Sequence, residues 1–156
     1  MKEQNLGQFI LKNIATLGFV GYLPIAPGTF GSLAAMAVFV FLKPGNATAV
    51  SLAALIVLIG IPSAHHAEKL LQEKDSGHIV IDEFAGYALS VLFLPPVASY
   101  YIAAFFLFRF FDILKPPPIR NIERILSGGI GIMADDVMAG VLTNALLQIW
   151  KLLTQN

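Results

Sequence analysis

The sequence predicts an all-α fold: a small polytopic membrane bundle of about four to five membrane helices with an interfacial helix at its N-terminus. Of its 156 residues, 56% are hydrophobic and only 13% are charged, and the mean hydropathy is +0.73. Ordinary soluble domains are about 25% charged. The apolar residues form runs of helical length, and clusters of proline and glycine separate these runs.

Composition also excludes several classes of protein. The formal net charge is zero, so there is no basic footprint for nucleic acid and no nucleic-acid partner is expected. The absence of cysteine excludes disulfides, thiolate zinc sites and cysteine nucleophiles. The length suits one domain covering residues 1–156, without an internal repeat or a linker. Whether subunits associate is left open.

The first predicted element is a short N-terminal helix. Its apolar positions share one helical face and are Leu6, Phe9, Ile10, Ile14 and Leu17. Two interpretations stay open: the helix lies on the membrane, or it packs against the rest of the protein. A connection rich in glycine and proline follows over residues 18–32.

Five apolar helices are predicted after this connection, over residues 29–42, 47–64, 82–94, 97–114 and 134–153. A tight break at 43–46, a polar stretch at 65–78 and the Pro95-Pro96 pair separate the first four. Pro116-Pro117-Pro118 ends the fourth, a short polar helix covers 119–126, and Ser127-Gly128-Gly129 is read as a further break. Several of these helices are short for full spans, which predicts tilted helices or parts of hairpins.

The charges are segregated if these five helices cross the membrane alternately. The N-terminal segment, residues 65–81 and residues 109–133 then share one side. All ten carboxylates fall on that side or at helix ends that face it, and of the ten lysines and arginines only Lys43 and Lys151 lie opposite. The positive-inside rule makes the charged side cytoplasmic.

Two adjacent acidic pairs stand out because each is predicted at the start of an apolar helix: Asp82-Glu83 and Asp135-Asp136. One interpretation is helix capping together with a favourable interaction with the helix dipole. The other adds Asp112 and sees a cluster of hard oxygen ligands without a thiolate. Such a cluster suits Mg²⁺, which takes a few carboxylates and keeps water or phosphate as its other ligands.

Basic residues near these pairs are candidates for binding phosphate. They are Arg109, Lys115 and Arg120, and the alternative for each is an ion pair with the same carboxylates or contact with anionic lipid. Residues 27–32 open a helix whose exposed amides could hold an anion, and Thr29 is the candidate there. Among the three histidines, His78 is the better candidate for acid–base work because it closely precedes Asp82.

Five segments in order resemble the phosphatidylglycerophosphatase A family. They are LPIAPGTFGS at 23–32, IVIDEFAG at 79–86, FRFFDILKP at 108–116, PIR at 118–120 and GGIGIMADDVMAG at 128–140. The resemblance covers residues 18–147, and no acidic or basic motif position is missing.

The resemblance implies a Mg²⁺-dependent phosphatase of the bacterial inner membrane that acts in phospholipid biosynthesis. Its substrate would be a phospholipid, phosphatidylglycerophosphate, which loses its terminal phosphate to give phosphatidylglycerol. The family's acidic residues carry over as catalytic Asp82, Glu83, Asp112 and Asp136 and as metal ligands Asp82, Glu83, Asp135 and Asp136. The phosphate-binding candidates remain Arg109, Lys115, Arg120 and Thr29.

Two other functions are weighed against this one. A metal-dependent phospholipid head-group transferase would carry a D-G-x-x-A-R core, which is absent. A transporter or channel with membrane-edge carboxylates is expected to show an inverted repeat, and none is visible. Because no D-x-D-x-T signature is present, a metal-activated water is preferred over a carboxylate nucleophile.

Overall fold

The computed structural model describes residues 6–154, without the side chain of residue 123. These residues form seven α-helices and no strand, so the predicted all-α class is confirmed. The helices are α1 (Leu6–Ala15), α2 (Pro27–Leu42), α3 (Asn46–Leu71), α4 (Ile81–Ser90), α5 (Ala98–Leu114), α6 (Ile119–Ile125) and α7 (Gly128–Thr154), with a 3-10 turn at Val20–Tyr22.

The predicted number of membrane helices is too high. Among the described helices only α3, with 26 residues, and α7, with 27, are long and apolar enough to cross a membrane. A span needs about 20 apolar residues. The apolar α2 has 16 residues, α4 has 10, and α5 has 17 and carries Arg109 and Asp112. Each apolar run is therefore a helix, but most of them are too short to span alone.

Three predicted helix boundaries are also wrong: α3 and α7 are longer than predicted, and α4 ends at Ser90 instead of residue 94. Packing explains the two extensions. α3 continues through the polar stretch to Leu71 because Ala64 and Ala67 are buried on one face of it. α7 begins at Gly128 instead of residue 134. A Cβ at Gly129 would overlap with the carbonyl oxygen of Ile61 on α3, so this glycine permits close helix contact and does not break the helix.

Helices α4 and α7 pack closely against each other. A Cβ at Gly140 of α7 would overlap with the Gly86 carbonyl oxygen of α4, and one at Gly86 would lie 2.6 Å from the Asp136 carbonyl oxygen. The backbones therefore touch at Gly86 and Gly140. Further along, Asn144 of α7 reaches the carbonyl of Ser90 of α4, which shows that the two helices run parallel.

The far end of α4 is tied to α7 by polar side chains. The Asn144 amide donates to the carbonyls of Ser90 and Leu92, at 3.0 and 2.8 Å. Gln148 donates to the Leu92 carbonyl at 3.0 Å, and Lys151 donates to the Phe93 carbonyl at 3.1 Å. Carbonyls near the end of a helix lack intrahelical donors, so these side chains satisfy groups that would otherwise be unpaired in an apolar surrounding.

The N-terminal helix α1 shows two different faces. Ala15 is fully buried in a cluster with Ala64 and Ala67 of α3. Leu6, Phe9 and Ile10 are exposed, with Leu6 at 75%. The interpretation of α1 as a helix packed on the protein is therefore supported, and membrane contact through its outer face stays a prediction.

Candidate active site

Three carboxylates from two helices meet near the start of α4. Asp82 and Glu83 lie in the first turn of α4, and Asp136 lies on α7. One oxygen of each lies within 4.8 Å of the others. Asp82 and Asp136 precede Gly86 and Gly140 by four residues, about one helical turn. Because the parallel backbones touch at these glycines, the two aspartates are brought side by side.

These carboxylates are buried and incompletely paired. Asp82 is 8% exposed and Asp136 is 3% exposed. Asp82 Oδ1 and Glu83 Oε2 have no hydrogen-bond partner among the described residues. Buried polar atoms in native proteins nearly always have partners, so unpaired oxygens indicate a place for a ligand.

Helix capping does not account for either acidic pair. The N-cap of α4 is Val80, and no side chain caps that helix. Asp135 and Asp136 lie inside α7, well after its first residue at Gly128. The capping interpretation is therefore wrong for both pairs, although the first-turn position of Asp82 and Glu83 still favours negative charge.

Burial makes the two carboxylates of α4 hard to ionise. Burial, and then repulsion by the adjacent Glu83, raise the pKa of Asp82 well above its ordinary value. Burial also raises the pKa of Glu83, while a hydrogen bond with Asp82 and the charge of Arg109 oppose the increase. A cation bound between such groups would favour their charged forms.

Arg109 of α5 lies beside the carboxylates. Its Nη1 is 2.6 Å from Asp112 Oδ2 and 3.8 Å from Glu83 Oε1. Asp112 follows Arg109 by three residues, so both side chains lie on one face of α5. The Arg109 side chain is 15% exposed, and its Nε has no hydrogen-bond partner among the described residues. Arg109 therefore both forms an ion pair, as one interpretation predicted, and lies next to the acidic residues, as the phosphate-binding interpretation requires.

A second ion pair, between Lys115 and Asp135, lies beside the three-carboxylate group. Lys115 Nζ lies 2.6 Å from Asp135 Oδ2, and Asp135 Oδ1 accepts a hydrogen bond from the Asp136 backbone N–H at 3.1 Å. Both oxygens of Asp135 are thus engaged within the protein. Asp135 does not belong to the three-carboxylate group, in contrast to Asp136 beside it.

A cavity of about 180 Å³ is lined by the predicted acidic residues together with Lys115. It therefore brings together most of the predicted site. The lining residues are Asp75, Ser76, Gly77, Ile79, Asp82, Glu83, Asp112, Lys115, Asp135 and Asp136. Asp75 and Ser76 are not among the predicted site residues; they belong to the polar stretch at 65–78 between two apolar helices. Their position just ahead of the Ile79–Glu83 segment was the available signal.

Four predicted residues do not belong to this cavity lining: Arg109, which lies beside it, and Thr29, Arg120 and His78. Thr29 is half-buried at the start of α2, and Arg120 is exposed on α6. His78 stacks on Tyr22 with ring centroids 4.8 Å apart, and its Nδ1 lies 2.7 Å from the Gly21 carbonyl oxygen. The role of His78 visible in the structure is therefore to hold the 3-10 turn against the loop before α4.

The donor set fits a hard divalent cation. Asp82, Glu83 and Asp136 supply only carboxylate oxygens, two of which are unpaired and buried. Oxygen ligands of this kind suit Mg²⁺, Ca²⁺ or Mn²⁺ and not a thiolate-preferring metal. The cluster could therefore bind a metal ion.

Comparisons with known proteins agree with the site. The family model Phosphatidylglycerophosphatase A matches residues 13–151. Phosphatidylglycerophosphatase A of Escherichia coli K12 is 38% identical over 138 residues, covering 86% of this chain and 80% of that protein. The Haemophilus influenzae protein of the same name is 38% identical over 147 residues, covering 90% of each chain.

A third relative carries a different name. A protein of Bacteroides thetaiotaomicron named "Putative phosphatidylinositol-3-phosphatase" is 41% identical over 138 residues, covering 83% of this chain and 86% of that one. No solved structure matches the chain. The predicted enzyme class, a phosphatase, is confirmed, and nothing in the comparisons supports a transferase, transporter or channel. By the family model and these relatives, the chain belongs to the phosphatidylglycerophosphatase A family.

Proposed function

We propose that this protein is a Mg²⁺-dependent lipid phosphatase that hydrolyses the terminal phosphate monoester of phosphatidylglycerophosphate to phosphatidylglycerol and phosphate. The observation that carries the proposal is a group of three carboxylates beside Arg109, two buried and one half-buried, with oxygens within 4.8 Å of one another. The names of the Escherichia coli and Haemophilus influenzae relatives support the substrate.

Asp82, Glu83 and Asp136 are the residues that would hold the metal, with Asp135 beside them but paired to Lys115. When bound, Mg²⁺ supplies positive charge to the phosphate oxygens and acidifies a water in the site. We favour that water over a carboxylate as the nucleophile.

The chain's own cations complete the binding of the phosphate. Arg109 and Lys115 have side chains 15% and 23% exposed, so both retain a surface that an anion can contact. Asp112 holds Arg109 through the 2.6 Å ion pair and so orients its guanidinium for the transferring phosphoryl group. Arg120, exposed on α6, suits contact with the anionic head group, and Thr29 remains a candidate on α2.

The membrane part of the proposal rests on α3 and α7. Gly129 approaches Ile61, and Gly60 approaches Met133, so the two candidate spans run antiparallel. We propose that both cross the bacterial inner membrane as parts of one domain over residues 1–156. The shorter apolar helices are embedded beside them, and the acidic cavity faces the cytoplasm.

Labelling of single cysteines tests this topology, since the chain contains no cysteine of its own. Lys74 lies at the cavity end and Asn46 at the opposite end of α3, and both are exposed. Lys74→Cys and Asn46→Cys should react with an impermeant reagent from opposite sides of the membrane. Reaction of both from the same side would overturn the topology.

Phosphate release by the purified protein tests the function. We expect turnover of phosphatidylglycerophosphate with Mg²⁺, and no turnover after chelation with EDTA. Phosphatidylinositol 3-phosphate is the competing substrate, because one relative carries that name. Faster release from the inositol lipid, or full turnover in EDTA, would contradict the substrate or the metal, respectively.

A further inference from the structure

The first turns of α2 lie against the active site, although no residue of α2 lines the acidic cavity. A Cβ at Gly28 would overlap with Glu83 Oε1 and would lie 3.4 Å from Arg109 Nη1. One turn later, Ser32 Oγ lies 3.5 Å from the same Nη1, at the long end of hydrogen-bond range. Gly28 and Ser32 thus form a surface on α2, here called the α2 seat, against which Glu83 and Arg109 rest.

The hydroxyl of Ser32 has only its lone pairs left to offer Arg109. Ser32 is fully buried, and its Oγ donates its proton to the Gly28 carbonyl at 3.0 Å. A hydroxyl carries one donor and two acceptor lone pairs, whereas a guanidinium offers only donors. The bond to Gly28 therefore orients the Ser32 oxygen as an acceptor toward the Arg109 N–H groups.

Arg109 needs such a restraint because its Nη1 has several partners at once. Asp112 holds it at 2.6 Å, while Glu83 lies farther away at 3.8 Å. Without a contact on the α2 side, the guanidinium would be free to move toward Asp112 and away from Glu83. We propose that Ser32 is a positioning residue that keeps Arg109 next to Glu83. This inference deepens the proposed function and rests on it.

Ser90 provides a closely matched control. It is also fully buried in a helix, and its Oγ donates to the Gly86 carbonyl four residues earlier at 2.9 Å, the same bond that Ser32 makes. Ser90 lies at the far end of α4, away from Arg109. Ser32→Ala and Ser90→Ala therefore remove equivalent hydroxyls and equivalent helical bonds, and only Ser32→Ala removes the contact with Arg109.

The kinetic test compares the two variants with the wild type on phosphatidylglycerophosphate. Ser32→Ala should lower kcat/KM about ten-fold, while Ser90→Ala should stay within about two-fold of the wild type. Melting temperatures should fall by similar amounts in both, because each loses one helical side-chain bond. Equal kcat/KM in the two variants would overturn the inference.

A second measurement needs no turnover. Arg109, Arg120 and Arg124 are the chain's three arginines, so the ¹⁵N–¹H signal of the Arg109 side chain can be assigned by its loss in Arg109→Lys. Ser32→Ala should shift this signal, and Ser90→Ala should leave it in place. An unshifted signal in Ser32→Ala refutes the α2 seat. A shifted signal in a protein that is inactive on the lipid refutes the proposed function instead, and supports the seat.

Discussion

The two ends of the α4 and α7 pair treat polar groups in opposite ways. At the Ser90 end, Asn144, Gln148 and Lys151 of α7 each donate to a carbonyl at the end of α4 or just beyond it. At the Asp82 end, carboxylates are buried together, and Asp82 Oδ1 and Glu83 Oε2 have no partner among the described residues.

The difference separates polar groups that stabilise the fold from those that we propose act in the reaction. A buried polar side chain with its hydrogen bonds made is part of the scaffold, and leaving it unpaired is costly. The hydrogen bonds at the Ser90 end therefore fix how α4 and α7 align. That rigid alignment holds the like charges at the Asp82 end close together. Variants at the two ends should accordingly affect different measurements.

The largest effect is expected from the carboxylates themselves. Asp82→Asn or Asp136→Asn should lower Mg²⁺-dependent phosphate release by about 10³-fold or more, because each removes a charged ligand from the three-carboxylate group. Circular dichroism should show that both variants keep their helices. Glu73→Gln, at an exposed carboxylate outside the cavity lining, is the control and should stay near wild type. Full activity in either aspartate variant would refute the metal assignment.

A smaller but still large effect is expected from Gly28→Ala. The new Cβ would occupy the position of Glu83 Oε1, so this flexible carboxylate must move out of the cluster. A displacement of about 1 Å in a catalytic group can cost about 10²-fold in rate. Both kcat and the affinity for Mn²⁺, used as a spectroscopic probe of the metal site, should fall.

The control for Gly28→Ala is Gly45→Ala, because a Cβ at Gly45 meets nothing within 4 Å. It should leave the rate and the Mn²⁺ affinity within about two-fold of the wild type. If Gly28→Ala behaves in the same way, Glu83 is not held where the structure places it.

Two predicted phosphate-binding cations should differ from each other. Lys115 lines the cavity and contacts Asp135 at 2.6 Å, so Lys115→Gln should lower kcat/KM about ten-fold. Arg120 is exposed and outside the cavity lining, so Arg120→Gln should change kcat/KM by less than about three-fold. The reverse order, measured under the same lipid conditions, would show that the head group enters from the α6 side.

The smallest effect on activity is expected at the scaffold end. Asn144→Leu leaves the carbonyls of Ser90 and Leu92 without this donor, which should cost about 1–3 kcal/mol of stability. Thermal unfolding should report that loss, while kcat at a low temperature stays within about two-fold of the wild type. A drop in kcat/KM as large as the one expected for Lys115→Gln would contradict the distinction between the two ends.

Much of the site could be predicted from the sequence because its charges interrupt apolar runs. Asp82-Glu83, Arg109, Asp112 and Asp135-Asp136 each stand where an uncompensated charge would be costly. In the structure the carboxylates line one cavity, and Arg109 lies beside it in contact with Asp112. Their individual roles could not be predicted. Adjacent Asp135 and Asp136 look equivalent in sequence, and only the fold pairs Asp135 with Lys115.

The predicted start of α7 is wrong for a physical reason that concerns glycine. Gly128-Gly129 was interpreted as a break, since glycine lowers helix propensity by about 1 kcal/mol. In the structure Gly129 lies within α7, where it allows close contact with Ile61 of α3, and the gain in packing outweighs that cost. The contact between Ser32 and Arg109 could not be predicted either. The sequence shows a serine in an apolar helix, but neither its burial nor its distance from Arg109.

Gly86 and Gly140 matter to the acidic cluster because they lack a Cβ atom. The separation of Asp82 and Asp136 is set one helical turn away, by two positions where a single methyl group would force the backbones apart. The spacing of the proposed catalytic carboxylates thus depends on a helix contact that contains no functional group. A larger residue at Gly86 or Gly140 should therefore disturb the acidic cluster, although neither position carries a side chain that could react.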